Sequence, residues 1–229
     1  MLIADWMAKD IQTVDEDASL MRVTRIMKEK HIRRLPVMAR GQVTGIITDR
    51  DVKDASPSKT TSQDIHELYY FLSEMRVKDV MTPDPLFLYG DDSLEKAALV
   101  MLENTISGVV VKDRQGGLIG LLSETDVLRG FIHATGIRDN TIQYVFDLPD
   151  QPGSVTAVTG LLRDFHMRII SILTSFLDAP TGMKRVAIRV TGPEGQSPDA
   201  LSSALAARFT LVHKAQDELA NLPKKTAKA

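Results

Sequence analysis

Gly45-Ile46-Ile47-Thr48-Asp49-Arg50-Asp51-Val52 returns, 75 residues later, as Gly120-Leu121-Leu122-Ser123-Glu124-Thr125-Asp126-Val127. Upstream of this stretch the offset is 74: Met7, Ser19, Leu20, Met27 and Ile32 recur as Met81, Ser93, Leu94, Met101 and Ile106. The first half of the chain is therefore written twice. Two copies of one unit are expected to pack around a pseudo-twofold axis, which creates a pair of equivalent clefts. Both copies end on the same hydroxyl and the same carboxylate. That pattern points to ligand binding rather than to a single catalytic centre.

Around this duplication the composition is that of an ordinary globular chain. The 229 residues are 43% hydrophobic, enough for one large domain or two average ones. No cysteine is present, which rules out disulfides and thiolate metal sites. A formal charge of −2 argues against a polyanion-binding surface as the main function. No apolar run approaches the roughly 18 residues that span a bilayer. Met1-Leu2-Ile3-Ala4-Asp5 does not read as a signal peptide. A cytoplasmic protein without membrane partners is expected.

Each repeat reads as strand, helix, strand, strand, helix. Ser19 caps a helix whose apolar face is Leu20, Val23 and Met27. Leu35–Val37 and Val43–Ile47 follow as strands around a turn at Gly41. In the second copy Asp92 or Ser93 caps a helix with Leu94, Ala97, Ala98, Met101 and Leu102 on one stripe. Its strands, Val109–Val111 and Leu118–Leu122, flank a Gly116-Gly117 turn, and such β-branched runs suit burial on both faces. Between the repeats, a loop over Ala55–Ser62 precedes a helix with Ile65, Leu68, Tyr69 and Leu72 at helical spacing. That helix is read as a packing spacer.

From Thr141 onward the pattern changes. Ile142–Leu148 is a strand, and Pro149–Ser154 turns into a helix with Val155, Val158, Leu162 and Phe165 inward. Ile169–Leu177 is a second strand with Ile170, Ile172, Thr174 and Phe176 alternating, and Arg185–Thr191 a third with Val186, Ile188 and Val190 on one face. Ser197-Pro198 opens a helix carrying Leu201, Ala204 and Leu205, and Phe209–His213 is the last strand. The order β-α-β-β-α-β is the ferredoxin-like arrangement.

These features carry a family likeness. The duplicated part resembles tandem CBS domains, the pair called a Bateman module. The likeness rests on Asp5-Trp6-Met7 and Asp79-Val80-Met81-Thr82-Pro83, on His31-Ile32-Arg33-Arg34-Leu35-Pro36-Val37, and on the two Gly-h-h-Ser/Thr-x-x-Asp endings. The last unit is similar to an ACT domain through Leu148-Pro149-Asp150-Gln151-Pro152-Gly153-Ser154. The whole resembles the AcuB-type acetoin-utilisation proteins, whose linker is matched by Arg50–Lys59 and Glu67–Leu72. The implied fold class is α+β: two β-α-β-β-α repeats, then a βαββαβ ACT domain. Its expected divisions are repeat 1 at 1–60, a linker helix at 61–76, repeat 2 at 77–136, the ACT-like domain at 140–216 and a disordered basic tail at 217–229.

The resemblance implies an adenosine-containing ligand (AMP, ADP, ATP or S-adenosylmethionine) in the clefts between repeats. It sets Asp51 and Asp126 where a carboxylate accepts the ribose hydroxyls. Thr48 and Ser123 suit donation to a phosphate at the start of the following helix. Arg33 and Arg34 offer guanidinium forks that match phosphate, whereas the second copy has Ser107 and Gly108 in their place. Asymmetric occupancy of the clefts is expected. The aspartates and hydroxyls also suit plain helix capping; two copies in register favour binding. His31 is assigned to local structure.

In the ACT-like unit, Asp150, Gly153 and Ser154 form a weaker candidate amino-acid site, with an interface or a plain turn as the competing readings. His166-Met167-Arg168 stands where amino-acid-binding relatives often carry an asparagine. No nucleophile elbow, phosphate loop or dinucleotide fingerprint occurs, and no metal site, required cofactor or enzyme activity is assigned. The expected protein is an allosteric regulator, homodimeric and acting on an unidentified protein target, with nucleic acid a disfavoured partner. The competing reading is an interaction or dimerisation module with no physiological small ligand.

Overall fold

The computed structural model describes residues 1–56, 65–138, 140–192, 198–216 and 219–223. The backbone falls into two compact units, Met1–Gly130 and Phe131–Ala229.

In the first unit, one repeat runs β1 (Val14–Asp15), α1 (Leu20–Lys30), β2 (Arg34–Ala39), β3 (Gln42–Thr48) and α2 (Asp49–Ala55). A connecting helix α3 (Ile65–Glu74) follows. The second repeat runs β4 (Thr82–Pro83), β5 (Phe87–Tyr89), α4 (Leu94–Glu103), β6 (Gly108–Lys112), β7 (Leu118–Ser123) and α5 (Glu124–Thr135). Ser19 Oγ accepts the Arg22 N–H at 3.4 Å and Ser93 Oγ accepts the Lys96 N–H at 3.1 Å, so both first helices start on a serine cap. After these helices the chain turns through left-handed residues, His31 at φ 53° and Thr105 at φ 54°. His31 thus ends α1, the local role assigned to it.

The repeats exchange their opening segments. β4, from the second repeat, pairs antiparallel with β3 of the first, Thr82 opposite Ile46. Reciprocally, Ala8 bridges Leu121 on β7, with N–H···O distances of 2.9 and 3.1 Å. Ile3 is consequently buried in the second repeat's core, beside Leu94 and Leu122, and Val77 in the first's, beside Leu20 and Ile47. The exchange accounts for the repeated glycine. Met81 packs where a side chain on Gly45 would stand, and Met7 does the same at Gly120.

Most of the expected core is buried as read: Leu20, Val23, Met27, Leu35, Val37 and Ile47, and then Leu94, Ala97, Met101, Val109, Val110, Val111 and Leu122. Leu102 departs from its stripe and is 76% exposed. It lies at the margin of the arc defined by Leu94, Ala97 and Met101, where the helix surface turns outward. In α3, Leu72 is buried but Tyr69 is 57% exposed. The side chains of Ile65 and Leu68, and most of the loop expected at 55–62, lie outside the described residues.

The second unit is β8 (Ile142–Pro149), α6 (Ser154–Asp164), β9 (Arg168–Ser175), β10 (Met183–Thr191), α7 (Pro198–Arg208) and β11 (Thr210–Gln216). The strands form one antiparallel sheet in the order β11-β8-β10-β9, the expected βαββαβ topology. Tyr144, Phe146, Leu148, Val158, Leu162, Val186, Ile188, Val190, Leu201 and Leu205 make its core. Arg185 and Asp147 stand opposite each other on β10 and β8 and form a bidentate pair at 2.9 and 3.1 Å. β9 is the exception. The predicted alternation buries no residue there, with Ile172 at 41% and Phe176 at 65% exposure, and it is broken where the pairing of this edge strand with β10 shifts register at Ile170. Ser197 lies outside the described residues. Within the segment expected to be a disordered tail, Leu219–Asn221 form a short 3-10 turn, while 217–218 and 224–229 lie outside the described residues.

Candidate functional site: two clefts between the repeats

The duplicated ending builds the same local device twice. Thr48 is the N-cap of α2, and Asp51 closes a capping box with it. Asp51 Oδ2 accepts both the Thr48 N–H and the Thr48 hydroxyl at 2.7 Å, while Thr48 Oγ1 accepts the Asp51 N–H at 3.3 Å. Ser123 and Asp126 repeat this at the start of α5, at 3.0, 2.5 and 3.3 Å. Capping is therefore realised in both copies. In this structure the one proton of each hydroxyl goes to the aspartate, so a phosphate at either helix start would compete with the carboxylate for it. The first helical N–H groups are engaged as well, Asp49 N–H with the Arg33 carbonyl at 3.0 Å and Glu124 N–H with the Ser107 carbonyl at 3.2 Å. Removing the hydroxyl in Thr48→Ala or Ser123→Ala is expected to lower stability by about 0.5–2 kcal/mol each, read from urea denaturation.

What the capping box leaves available is the second carboxylate oxygen. Asp51 lies on a cavity of about 590 Å³ that Thr48, Ile46 and Arg50 also line from the first repeat. The second repeat closes it with Thr82, Thr105, Ile106, Ser107 and Gly108. Asp126 lies on the pseudo-equivalent cavity, of about 330 Å³, with Leu121 and Ser123 from the second repeat and Ala8, Lys30, His31, Ile32, Arg33 and Arg34 from the first. Each cleft thus joins the aspartate of one repeat to the helix-to-strand segment of the other. Asp126 Oδ1 also meets Arg129 at 3.3 Å, an exposed pair of little strength.

The six residues named from sequence are therefore distributed over two clefts. Arg33 and Arg34 come opposite Asp126, as the 74-residue offset implies once the exchange is known, yet both also line the Asp51 cavity. Arg34 Nη2 donates to Ser107 Oγ at 2.9 Å, and its guanidinium fills the space a side chain on Gly108 would need. Burial and neighbouring Arg33 pull the Arg34 pKa below the usual guanidinium value, against the pull of Glu124, Asp126 and Asp49. Asp49 is turned along its own helix toward Lys53 at 2.8 Å, and that hydrogen bond holds its carboxyl below the usual range. Lys30 in the smaller cleft went unassigned in the sequence. Its signal was its position in the same segment as Arg33, matched by Asn104 in the second copy.

In the C-terminal unit, Asp150, Gly153 and Ser154 do come together, around a surface depression of about 440 Å³ with Lys184. Gly153 sits at φ +85° as the residue preceding α6, a conformation glycine alone adopts without strain. Ser154 Oγ is buried and has no hydrogen-bond partner among the described residues. Asp150 faces Lys184 at 3.5 Å.

The CBS domain family model matches residues 3–58 and 77–133. A homoserine O-acetyltransferase of Methanohalophilus mahii is 30% identical over 128 residues, 56% of this chain and 24% of that protein. A CBS domain-containing protein of Dictyostelium discoideum is 29% identical over 129 residues, 56% of this chain and 89% of its own. The chain thus spans only about a quarter of the acetyltransferase, and most of the Dictyostelium protein. Among solved structures, CBSX2 of Arabidopsis thaliana in complex with AMP is 28% identical, covering 58% of this chain and 96% of that one, with a TM-score of 0.47. No helix among the described residues is long and apolar enough to cross a membrane. The duplication, the exchanged openings and the family match agree: residues 3–133 carry a tandem pair of CBS domains, a Bateman module.

Proposed function

We propose that this protein is a regulatory sensor of an adenosine-containing ligand, AMP, ADP, ATP or S-adenosylmethionine, held in the clefts between the CBS repeats. The observation that carries this reading is the repeated juxtaposition of an aspartate from one repeat with the helix-to-strand segment of the other, under Arg33 and Arg34. The volumes fall in the usual range for small-molecule sites. Asp51 Oδ1 and Asp126 Oδ1 are the acceptors for ribose hydroxyls, and the two arginines take the phosphates. The role is regulatory rather than catalytic. Because each cleft is built from both repeats, a ligand that prefers one packing of the repeats shifts their equilibrium toward it.

The remaining assignments belong to the same proposal. The repeats occupy 1–60 and 77–136 around a linker at 61–76 that holds helix α3. Residues 140–216 form an ACT-like domain, supported by the βαββαβ order and the Gly153 turn. Its Asp150–Ser154 depression is a secondary site for an amino acid. The protein acts in the cytoplasm as a homodimer on a protein target, in a role of the AcuB type linked to acetoin utilisation.

A second reading, a protein-interaction module with no small ligand, draws on the capping boxes, since they give both Thr-Asp and Ser-Asp pairs a structural purpose. Thermal unfolding with each nucleotide and with S-adenosylmethionine separates the two. A ligand at a hundred times its Kd stabilises by about 2.7 kcal/mol, so a saturable rise in Tm with at least one of them is expected. No shift with any of them favours the interaction module.

A further inference from the structure

The duplication supplies two aspartates, two hydroxyls and two clefts, but only one Arg34. Its counterpart by offset is Gly108, and the two are in contact: the guanidinium occupies the room left by the missing side chain. From there it lines both cavities and donates to Ser107 Oγ at 2.9 Å, across the repeats. Carboxylates lie around it from both sides, Asp49 from the first repeat and Glu124 and Asp126 from the second.

We propose that Arg34 is an anion-binding residue shared by the two clefts and poised between them, so that a phosphate-bearing ligand in one lowers the affinity of the other for a second. This rests on the reading of the clefts as nucleotide sites and states how they are regulated. A guanidinium forks onto one phosphate at a time. When it engages a phosphate in the Asp126 cleft it leaves Ser107, and the Asp51 cleft then presents Asp49, Asp51 and Glu124 with less cationic compensation. The coupling is reciprocal, as any linkage between binding sites must be. A ligand without phosphate has no claim on Arg34 and escapes the competition. The two clefts together therefore suit one anionic and one uncharged or cationic adenosine ligand at the same time.

Titration calorimetry on the full chain with pyrophosphate and with adenosine tests this. Pyrophosphate is expected to show one tight equivalent and a second that is about tenfold weaker or not detected, the ordinary scale of such coupling. Arg34→Ala is expected to abolish the tight class and leave two weak sites that no longer compete. Gly108→Ala keeps the charge but evicts the guanidinium from the shared wall, and its nearest contacts are the flexible end of Arg34 and then the Leu122 carbonyl at 3.1 Å. It is expected to narrow the gap without unfolding the protein. Equal pyrophosphate sites in the natural protein, a gap unchanged in both variants, or no pyrophosphate binding overturns the proposal. The adenosine titration reports separately: failure of adenosine to bind, with Arg34-dependent pyrophosphate binding intact, discards the nucleotide reading and leaves the shared arginine standing.

Discussion

Asp51→Asn combined with Asp126→Asn is expected to weaken adenine-nucleotide binding at least about tenfold in each cleft. A hydrogen bond to a charged group contributes about 1.5–3 kcal/mol, and each 1.4 kcal/mol is about a factor of ten. Asparagine is chosen over alanine because of the capping boxes. The amide oxygen still accepts from Thr48 and Ser123 at the positions where Asp51 Oδ2 and Asp126 Oδ2 do so, so the helix starts survive. What disappears is the negative charge and the second acceptor oxygen of each aspartate. Calorimetry gives the affinity, and the unfolding midpoint of the ligand-free variant reports whether the caps were kept. Unchanged affinity in a folded variant removes these aspartates from the site.

The largest stability effect is expected at Phe146. Its side chain is wholly buried at the centre of β8, stacked on Tyr144 at 6.4 Å between ring centroids and meeting Phe209 edge-on at 6.2 Å. Phe146→Ala removes the ring and both aromatic contacts, and the sheet and two helices around it cannot collapse fully into the space. A loss of about 3–5 kcal/mol follows. Since the chain divides into two compact units, the loss is expected in the unfolding transition of the C-terminal one. Chemical denaturation followed by far-UV circular dichroism, with nucleotide binding measured in parallel, checks this. A loss under about 1 kcal/mol would mean that Phe146 is not part of a close-packed core.

Much of this architecture was legible because local signals and duplication reinforce each other. Ser19 and Ser93 mark helix starts by their own chemistry, and the valine run at 109–111 specifies a strand buried on both faces. The offset then doubled every such observation. Other features depend on partners distant in sequence. The offset relates Gly45 to Gly120 and Met7 to Met81, but nothing in it says that each methionine packs on the other repeat's glycine. Only the exchange of openings brings them together. For the same reason Arg33 and Arg34 read as belonging to one cleft, when the wall they stand on faces both.

The details that sequence left open or misplaced have equally local causes. A threonine followed three residues later by an aspartate suits a cap and a ligand site alike, and the cap is what this structure forms. Leu102 satisfies helical periodicity at its margin, where one residue's rotation separates core from surface. Strand β9 breaks its alternation where Arg189 pairs with Ser171 and Val190 with Ile169, so Ile170 drops out of register, and nothing in the local sequence marks that irregularity.

We propose that the clefts between the CBS repeats hold an adenosine ligand by its ribose. A crystal structure of the full chain grown with ADP tests it most directly. The predicted result is ADP in at least one cleft, its ribose hydroxyls within hydrogen-bond distance of Asp51 or Asp126 and its phosphates turned toward Arg33 and Arg34. Both clefts empty at saturating nucleotide, or ADP bound away from these aspartates, would contradict it.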